Sequence, residues 1–502
     1  MTPDRTLPAT PTSSAHLMRR MLVSTAFYAF SFVLQRALSV LFLPIYTHYL
    51  SPADYGVLEL LDTLATVISM VLLVARFSAA LNYFYHVAPD SGARDRYIGT
   101  ALAAGVAGSA AVFAAVFSAS AQISSFLFQT AQFSGAVQVF SVGLIATVPI
   151  EIGMAYLQIT DRAGLLSSVA LIRVLANAGL NVLLLGPFHM GLSAMLWGST
   201  ICALATAAFL SVKVVREVPF SFSPFALRQM LVFSAPFAIS VVAEFILNFG
   251  DRVFLKSRIS LADLGLYGIG YKLGMIIASF AACFLSYWDA QVVAIGRRPD
   301  GLSLIGRVAT YFFAGMGLIT LALALFARPA LRLLASPEFF RAHEYVPWLA
   351  LAYFLRAVSG FFLGVFLLGG RPGYVAVLRW AGVSVCLLGY IFLIPPFGAW
   401  GAVAATVSAF ALMIPLGWWL SQRVRNISYD YTRIAKAALA MGCGWLIFNL
   451  FRPVSLTGEA LGGLAALLVT AVVLLATRFI SRAELDAILA LRHSSPPSPT
   501  AS

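Results

Sequence analysis

"LPIYTHYLSPADYGVLEL", residues 43–60, leaves one apolar segment, turns on a short polar stretch and enters another. The chain writes the turn again in "SRISLADLGLYGIGYK", residues 257–272, where Ser260, Ala262, Asp263 and Gly265 repeat Ser51, Ala53, Asp54 and Gly56 at one constant offset. In both copies Ser stands at a good helix N-cap with Asp three residues on, and Pro52 takes the first helical position of the first copy. A Ser cap satisfies an orphan amide, Pro at that position has no amide to strand, and an acid near the N-terminus complements the helix dipole. The repeat has two readings: a well-capped turn used twice, or a duplicated half in which helices 1–6 recur as 7–12. Internal repeats are common in transporters, whose substrate sites lie between the halves.

Outward from these turns the chain is apolar. Of its 502 residues 60% are hydrophobic and 11% charged, against about 25% charged in ordinary soluble domains. That composition implies an all-α integral membrane protein. The net charge of +13 forms no basic run and no recognition helix, so it argues for topology and lipid contact rather than nucleic acid. Cys202, Cys283, Cys386 and Cys443 fall inside apolar stretches without a CxxC or a neighbouring His, and read as small buried side chains rather than a disulfide framework or metal site. The six histidines, at 16, 48, 86, 189, 343 and 493, fall outside the spans, which leaves no histidine relay.

A spanning helix needs about 20 mainly apolar residues. That rule predicts fourteen spans: 21–45, 57–82, 97–120, 135–156, 165–186, 192–212, 229–250, 262–288, 303–326, 346–370, 373–394, 400–420, 434–450 and 460–480. The first apolar run is too long for a cleaved signal peptide and is expected to be retained. With the N-terminus inside, inner stretches carry about three times as many Lys and Arg as outer ones, which favours N-in, C-in and an even number of spans. Residues 1–20 and 481–502 read as cytoplasmic tails. The outer loops are unexpectedly basic at Arg252–Lys256–Arg258 and Arg328–Arg332–Arg341, with Asp251, Asp263, Glu338 and Glu344 close enough in sequence for ordinary ion pairs.

Charges also fall inside the spans: Arg36, Arg76, Arg173, Lys272, Arg356 and Arg379, with Glu59, Asp62, Glu151, Glu244 and Asp289. One such charge at mid-helix costs about 2.5–3.5 kcal/mol on insertion scales, so each needs water, a partner or a substrate. Arg36, Arg173, Lys272 and Arg356 lie deepest and are candidates for a cavity, with structural ion pairs as the alternative. Arg76 and Arg379 are weaker candidates, near enough to the inner surface to snorkel. Glu59 and Asp62 suit a helix dipole or a pair with Arg36, and Asp289 suits solvent. Glu151 and Glu244 are candidates for proton or sodium coupling, because burial makes a carboxyl titratable. Pro44, Pro149, Pro236 and Pro415 are expected to interrupt their helices.

The two turn segments, with "FSAPFAISVVAEFILNFGDRVFLKSRISLADLGLYGIGYKLG" (233–274) and more weakly "YLQITDRAGLLSSVALIRVLANAGLNVLLL" (156–185), resemble the bacterial oligosaccharide-lipid flippases of polysaccharide assembly. These form the polysaccharide branch of the multidrug/oligosaccharidyl-lipid/polysaccharide exporter superfamily. Ala262 and Leu264 depart from the more polar residues expected there. The resemblance implies two pseudo-symmetric six-helix lobes around a central cavity, at 21–220 and 221–425, with two further helices in 426–480. It implies transport of undecaprenyl-pyrophosphate-linked oligosaccharide from the cytoplasmic to the periplasmic leaflet of the inner membrane, for O-antigen, capsule or exopolysaccharide. Arg36, Arg173, Lys272 and Arg356 would then hold pyrophosphate through charge-assisted, often bidentate hydrogen bonds, and the basic outer loops would receive it as it emerges. The other readings are a drug or cation exporter of the same superfamily, which should need an acidic cavity, and a membrane glycan polymerase or ligase. A polymerase or ligase should carry a large external catalytic loop, and the sequence has no such loop. No cofactor is implied.

Overall fold

The computed structural model describes residues 41–72, 74–450, 455–477 and 479, and every element among them is a helix. The two tails, Arg36 and nearly all of the first expected span lie outside the described residues. Eleven of the described helical segments are long and apolar enough to cross a membrane. Large side chains such as Ile172, Phe392 and Leu468 lie exposed on them, as a lipid-facing surface requires. The chain divides into two compact units, Met1–Phe245 and Ile246–Ser502.

The N-terminal unit opens with α1 (Leu43–Tyr49) and α2 (Pro52–Val71). Here the first polar turn is a full capping box: Ser51 Oγ accepts from the Asp54 amide at 3.2 Å, and the Ser51 amide donates to Asp54 Oδ2 at 2.9 Å. The segment expected as one helix over 57–82 is two, α2 and α3 (Val74–Val87). Next come α4 (Ser91–Ser118), α5 (Ser120–Phe128), a 3-10 turn at Ala131–Phe133, α6 (Ser134–Leu144) and α7 (Thr147–Ile159). The break between α6 and α7 falls at Ile145–Ala146, where the Pro149 ring meets the carbonyl four residues back and offers it no N–H. After α8 (Ala163–Leu185) and α9 (Leu192–Glu217), Pro236 splits the next span into α10 (Pro224–Ser234), a 3-10 turn at Ala235–Phe237 and α11 (Ala238–Leu255). Leu81, Ile98, Ala101, Ile152, Leu157, Leu210 and Met230 form the core of this unit.

The division between the units lies within α11, which runs five residues past the expected end at 250. The second polar turn starts α12 (Leu261–Gly274), with Ser260 Oγ accepting from the Asp263 amide at 3.0 Å. Then follow α13 (Ile276–Gly296), α14 (Gly301–Leu334), a 3-10 segment at Pro337–Glu344 and α15 (Val346–Leu368). Helix α15 is the axis of this unit: Val346, Leu349, Ala350, Val365 and Phe366 are fully covered. A tight hairpin joins α16 (Gly373–Phe397) to α17 (Ala399–Val424) through Gly398, whose φ of +53° suits a residue without Cβ. Pro415 does not interrupt α17, contrary to expectation, because packing such as Gly417 on Phe362 holds the helix around it. The last described pair, α18 (Tyr431–Leu450) and α19 (Leu456–Ala476), packs on α14 through Leu321, Leu325, Phe448 and Ala466.

The cysteines correct another expectation. Cys386 is buried and Cys202 half-buried, but Cys283 and Cys443 are exposed. In a membrane protein an apolar neighbourhood is as often lipid as protein, so apolar surroundings alone do not imply burial.

Candidate functional site

In the N-terminal unit the structure brings two candidates together. Arg173 on α8 and Glu151 on α7 both have exposed side chains, and the arginine's charge acts directly on the carboxylate. Arg173 also acts on Cys202 of α9, which places it where α7, α8 and α9 face one another. Four and eight residues on from Arg173, Asn177 and Asn181 continue one stripe of α8. Asn181 is 1% exposed, its Nδ2 donates to Tyr46 Oη at 3.5 Å, and its Oδ1 accepts no hydrogen bond among the described residues. Glu59 is buried on α2, Asp62 is exposed beside it, and the Arg76 side chain lies outside what is described. At one end of this unit Glu217 accepts from Arg162, Lys213 and Tyr156 at 2.7–2.9 Å, tying the α7–α8 turn to α9.

The C-terminal unit holds its charges differently. On its part of α11, Asn248, Asp251 and Arg252 fall at helical spacing on one side, and α12 contributes Tyr267 and Tyr271 one turn apart. Arg252 is 1% exposed. Its Nη1 donates to Asp251 Oδ1 at 2.8 Å and to the Asn248 carbonyl at 2.9 Å, and its guanidinium lies 3.9 Å from the Tyr271 ring centroid. Asp251 also accepts from the Tyr267 hydroxyl. Here the outer-loop reading of Arg252 is corrected: the residue is sealed inside the unit by a carboxylate and aromatic rings. Lys256, one residue past α11, is half-buried, and that burial lowers its ammonium pKa from the ordinary value. Only Arg258 of that basic trio is exposed.

Asn248 joins this buried set to a predicted site residue. Its Oδ1 accepts from Arg356 Nη1 and, at 3.2 Å, from the Tyr353 hydroxyl. The half-buried Arg356 guanidinium lies 5.6 Å from the Phe410 ring centroid on α17. Lys272 is exposed on the last turn of α12, Glu244 is half-buried one turn before Asn248, and Asp289 is exposed on α13. Arg379 stands apart, half-buried on α16 without a hydrogen bond or ion pair among the described residues.

The second basic outer loop is also corrected. Arg328 and Arg332 lie on α14 and clamp Glu459 of α19, which is 1% exposed, at 2.7 and 3.6 Å. Sequence reasoning missed Asn248, Tyr267, Tyr353 and Glu459, whereas Asp251 was expected to make an ordinary ion pair and does so with Arg252. The spacing Asn248–Asp251–Arg252 was a usable signal, because it carries one polar helix face past the expected end of the span at 250.

Comparison with known proteins agrees with this architecture. Residues 45–286 match a family model described as "Polysaccharide biosynthesis protein". No curated protein matches the sequence. Among solved structures, the lipid II flippase MurJ in its inward closed conformation aligns with a TM-score of 0.76 at 10% identity, covering 93% of this chain and 100% of that one. An inward-facing multidrug-resistance MATE transporter of the MOP superfamily aligns at 0.58 and 15% identity, covering 80% and 96%. A MOP-superfamily transporter from Pyrococcus furiosus, described as having a binding pocket of reversed polarity, aligns at 0.55 and 15% identity, again covering 80% and 96%. Residues 45–286 are thus similar to the polysaccharide biosynthesis protein family, and the chain has the multi-pass fold of these solved flippase and multidrug-transporter structures.

Proposed function

We propose that this protein flips polyprenyl-pyrophosphate-linked oligosaccharide from the cytoplasmic to the periplasmic leaflet of the bacterial inner membrane by alternating access. The product would supply a surface polysaccharide such as O-antigen, capsule or exopolysaccharide, and both termini would be cytoplasmic. The observation that carries the reading is that Arg173 and Arg356 keep reachable guanidinium groups inside apolar helices. A pyrophosphate leaving water needs its hydration replaced, and arginine does so with charge-assisted, often bidentate hydrogen bonds. The family match to polysaccharide biosynthesis supports the cargo class, and the likeness to a lipid II flippase supports the transport mode.

The MATE likeness supports a second reading, an exporter of organic cations. One experiment separates them. Purified protein in proteoliposomes is given either a short-chain polyprenyl-pyrophosphate sugar or a cationic dye. The flippase reading expects the pyrophosphate to cross and Arg173→Ala or Arg356→Ala to cut its rate at least tenfold, with membrane abundance unchanged. Transport of the dye alone, or wild-type rates from both variants, overturns it. We further propose that Glu244 couples transport to a proton or sodium gradient. Glu244→Gln should then flatten the gradient dependence, and an unchanged dependence removes that role.

A further inference from the structure

Where α14 ends and α19 begins, two guanidinium groups share one carboxylate. Arg328 and Arg332 stand one turn apart on α14, and Glu459 lies in the first turn of α19. Arg328 Nη1 approaches Glu459 Oε1 at 2.7 Å. Arg332 Nη1 approaches Oε2 at 3.6 Å, too far for a hydrogen bond. Neither oxygen takes an aligned N–H from any described residue, so the clamp is coulombic and the guanidinium N–H groups are left to donate elsewhere.

Burial divides the three groups. The Glu459 side chain is 1% exposed, whereas those of Arg328 and Arg332 are 30% and 27% exposed. A ligand therefore reaches the arginines and not the acid. Two positive charges face one negative charge, and that acid also complements the positive N-terminal end of α19, capped at Ser455. The cluster keeps a surplus of positive charge at an apolar surface, where Leu333 of α14 and Leu456 and Leu461 of α19 are exposed. Glu459 holds the guanidinium groups side by side against their mutual repulsion. That arrangement suits a phosphate, whose free oxygens accept from both.

We propose that Arg328 and Arg332 form a binding site for an anionic phospholipid of the surrounding membrane, one whose headgroup is a phosphodiester without an ammonium, as in phosphatidylglycerol. The single negative charge of that headgroup matches the surplus, and the exposed leucines give its acyl chains a surface. A zwitterionic headgroup such as phosphoethanolamine brings a cation to a cluster that is already positive. Glu459 is a positioning residue in this site and touches no lipid. The site binds lipid of the bilayer, so it stands whichever cargo is carried.

The test uses the full-length protein in detergent micelles containing dioleoylphosphatidylglycerol or dioleoylphosphatidylethanolamine. Thermal unfolding is the readout, since a ligand of the folded state raises the midpoint as it saturates. Wild type should reach half of that rise at a roughly tenfold lower mole fraction of phosphatidylglycerol, the scale of one charge-assisted hydrogen bond. Arg328→Gln with Arg332→Gln should erase the preference. That change strands a buried carboxylate, so the triple variant with Glu459→Gln carries the test if the double does not accumulate. It buries no charge here and should show no preference either. Glu459→Gln alone keeps both arginines and should keep the preference.

Equal saturation of wild type by the two lipids, or a wild-type preference in the triple variant, would overturn the site and leave the arginines only their hold on Glu459. Millimolar glycerol 3-phosphate should not displace phosphatidylglycerol, because it has no chains to lay on the leucines. Displacement would overturn the lipid assignment in favour of a soluble phosphate. Loss of the wild-type preference on adding an equimolar short-chain polyprenyl pyrophosphate would overturn it in favour of cargo. None of these outcomes bears on the transport tests of Arg173 and Arg356.

Discussion

In the N-terminal unit Arg173 and Glu151 stand on exposed faces of α8 and α7, whereas in the C-terminal unit Arg252 and Asp251 are sealed at 1% exposure among tyrosines. Both pairs place charge in helices apolar enough to span a membrane, and the two are made tolerable by different physics. An exposed charge keeps access to water or to an arriving headgroup. A sealed one has lost its solvation and depends on partners built into the fold. Only the first kind is available to cargo, so a count of charges within the spans overstates the binding surface. Arg356 stands between the two, anchored yet only half-buried.

The largest expected effect comes from breaking the sealed pair. Asp251→Ala takes the carboxylate from a buried guanidinium, and loss of one partner of such a pair costs about 3–5 kcal/mol. Thermal unfolding in detergent should show that variant strongly destabilised or absent. Glu151→Ala, on an exposed face, should stay within about 0.5 kcal/mol of wild type. Replacing both members together, Asp251→Leu with Arg252→Met, should recover most of the loss, since an apolar pair of similar volume needs no compensation. Equal destabilisation by Asp251→Ala and Glu151→Ala would erase the contrast between the units.

How much of this was legible follows from the range of each interaction. The caps at Ser51 and Ser260 were readable because cap and acceptor lie three residues apart. The breaks at Pro149 and Pro236 were readable because proline acts on the carbonyl four residues back. Pro415 was misread because its helix is held by other helices. Arg252, Arg328 and Arg332 looked like loop residues because a charge after an apolar run usually marks the membrane surface. What keeps them inside helices is Tyr271 for the first and Glu459 for the others, contacts that span up to 131 positions of sequence. Arg173 and Arg356 were found because a charge in mid-span is conspicuous by itself. Asn248, neutral and polar in an apolar run, was not conspicuous.

A smaller effect tests how tightly a second sealed polar group of the N-terminal unit, besides the buried Glu59, is packed. Asn181 is the candidate, and Gly198 of α9 makes its room: a Cβ built on Gly198 would collide with Asn181 Oδ1. Gly198→Ala should therefore cost about 1–3 kcal/mol, as overpacking does. Asn181→Ala in the same chain should restore stability by vacating the space. Failure of that rescue would mean the α8–α9 contact is limited by backbone approach rather than by the amide. The resemblance to the sealed set of the C-terminal unit would then be lost.

The smallest effect compares the two copies of the polar turn, one in each unit. Both serines accept from the amide three residues on, so Ser51→Ala and Ser260→Ala should each cost about 1 kcal/mol. The acids should differ. Asp54 accepts from the Ser51 amide at 2.9 Å as well as from the Ser51 hydroxyl, closing a reciprocal box, whereas the bond shown for the Asp263 carboxylate is with the Ser260 hydroxyl at 2.7 Å. Asp54→Ala should accordingly cost on the order of 0.5–1 kcal/mol more than Asp263→Ala, the worth of one net hydrogen bond. Hydrogen exchange at the first turns of α2 and α12 reads this directly, with the larger loss of protection expected at 51–54. Equal losses would mean that the amide bond of the first copy contributes nothing, and that the two turns are equivalent in energy as well as in sequence.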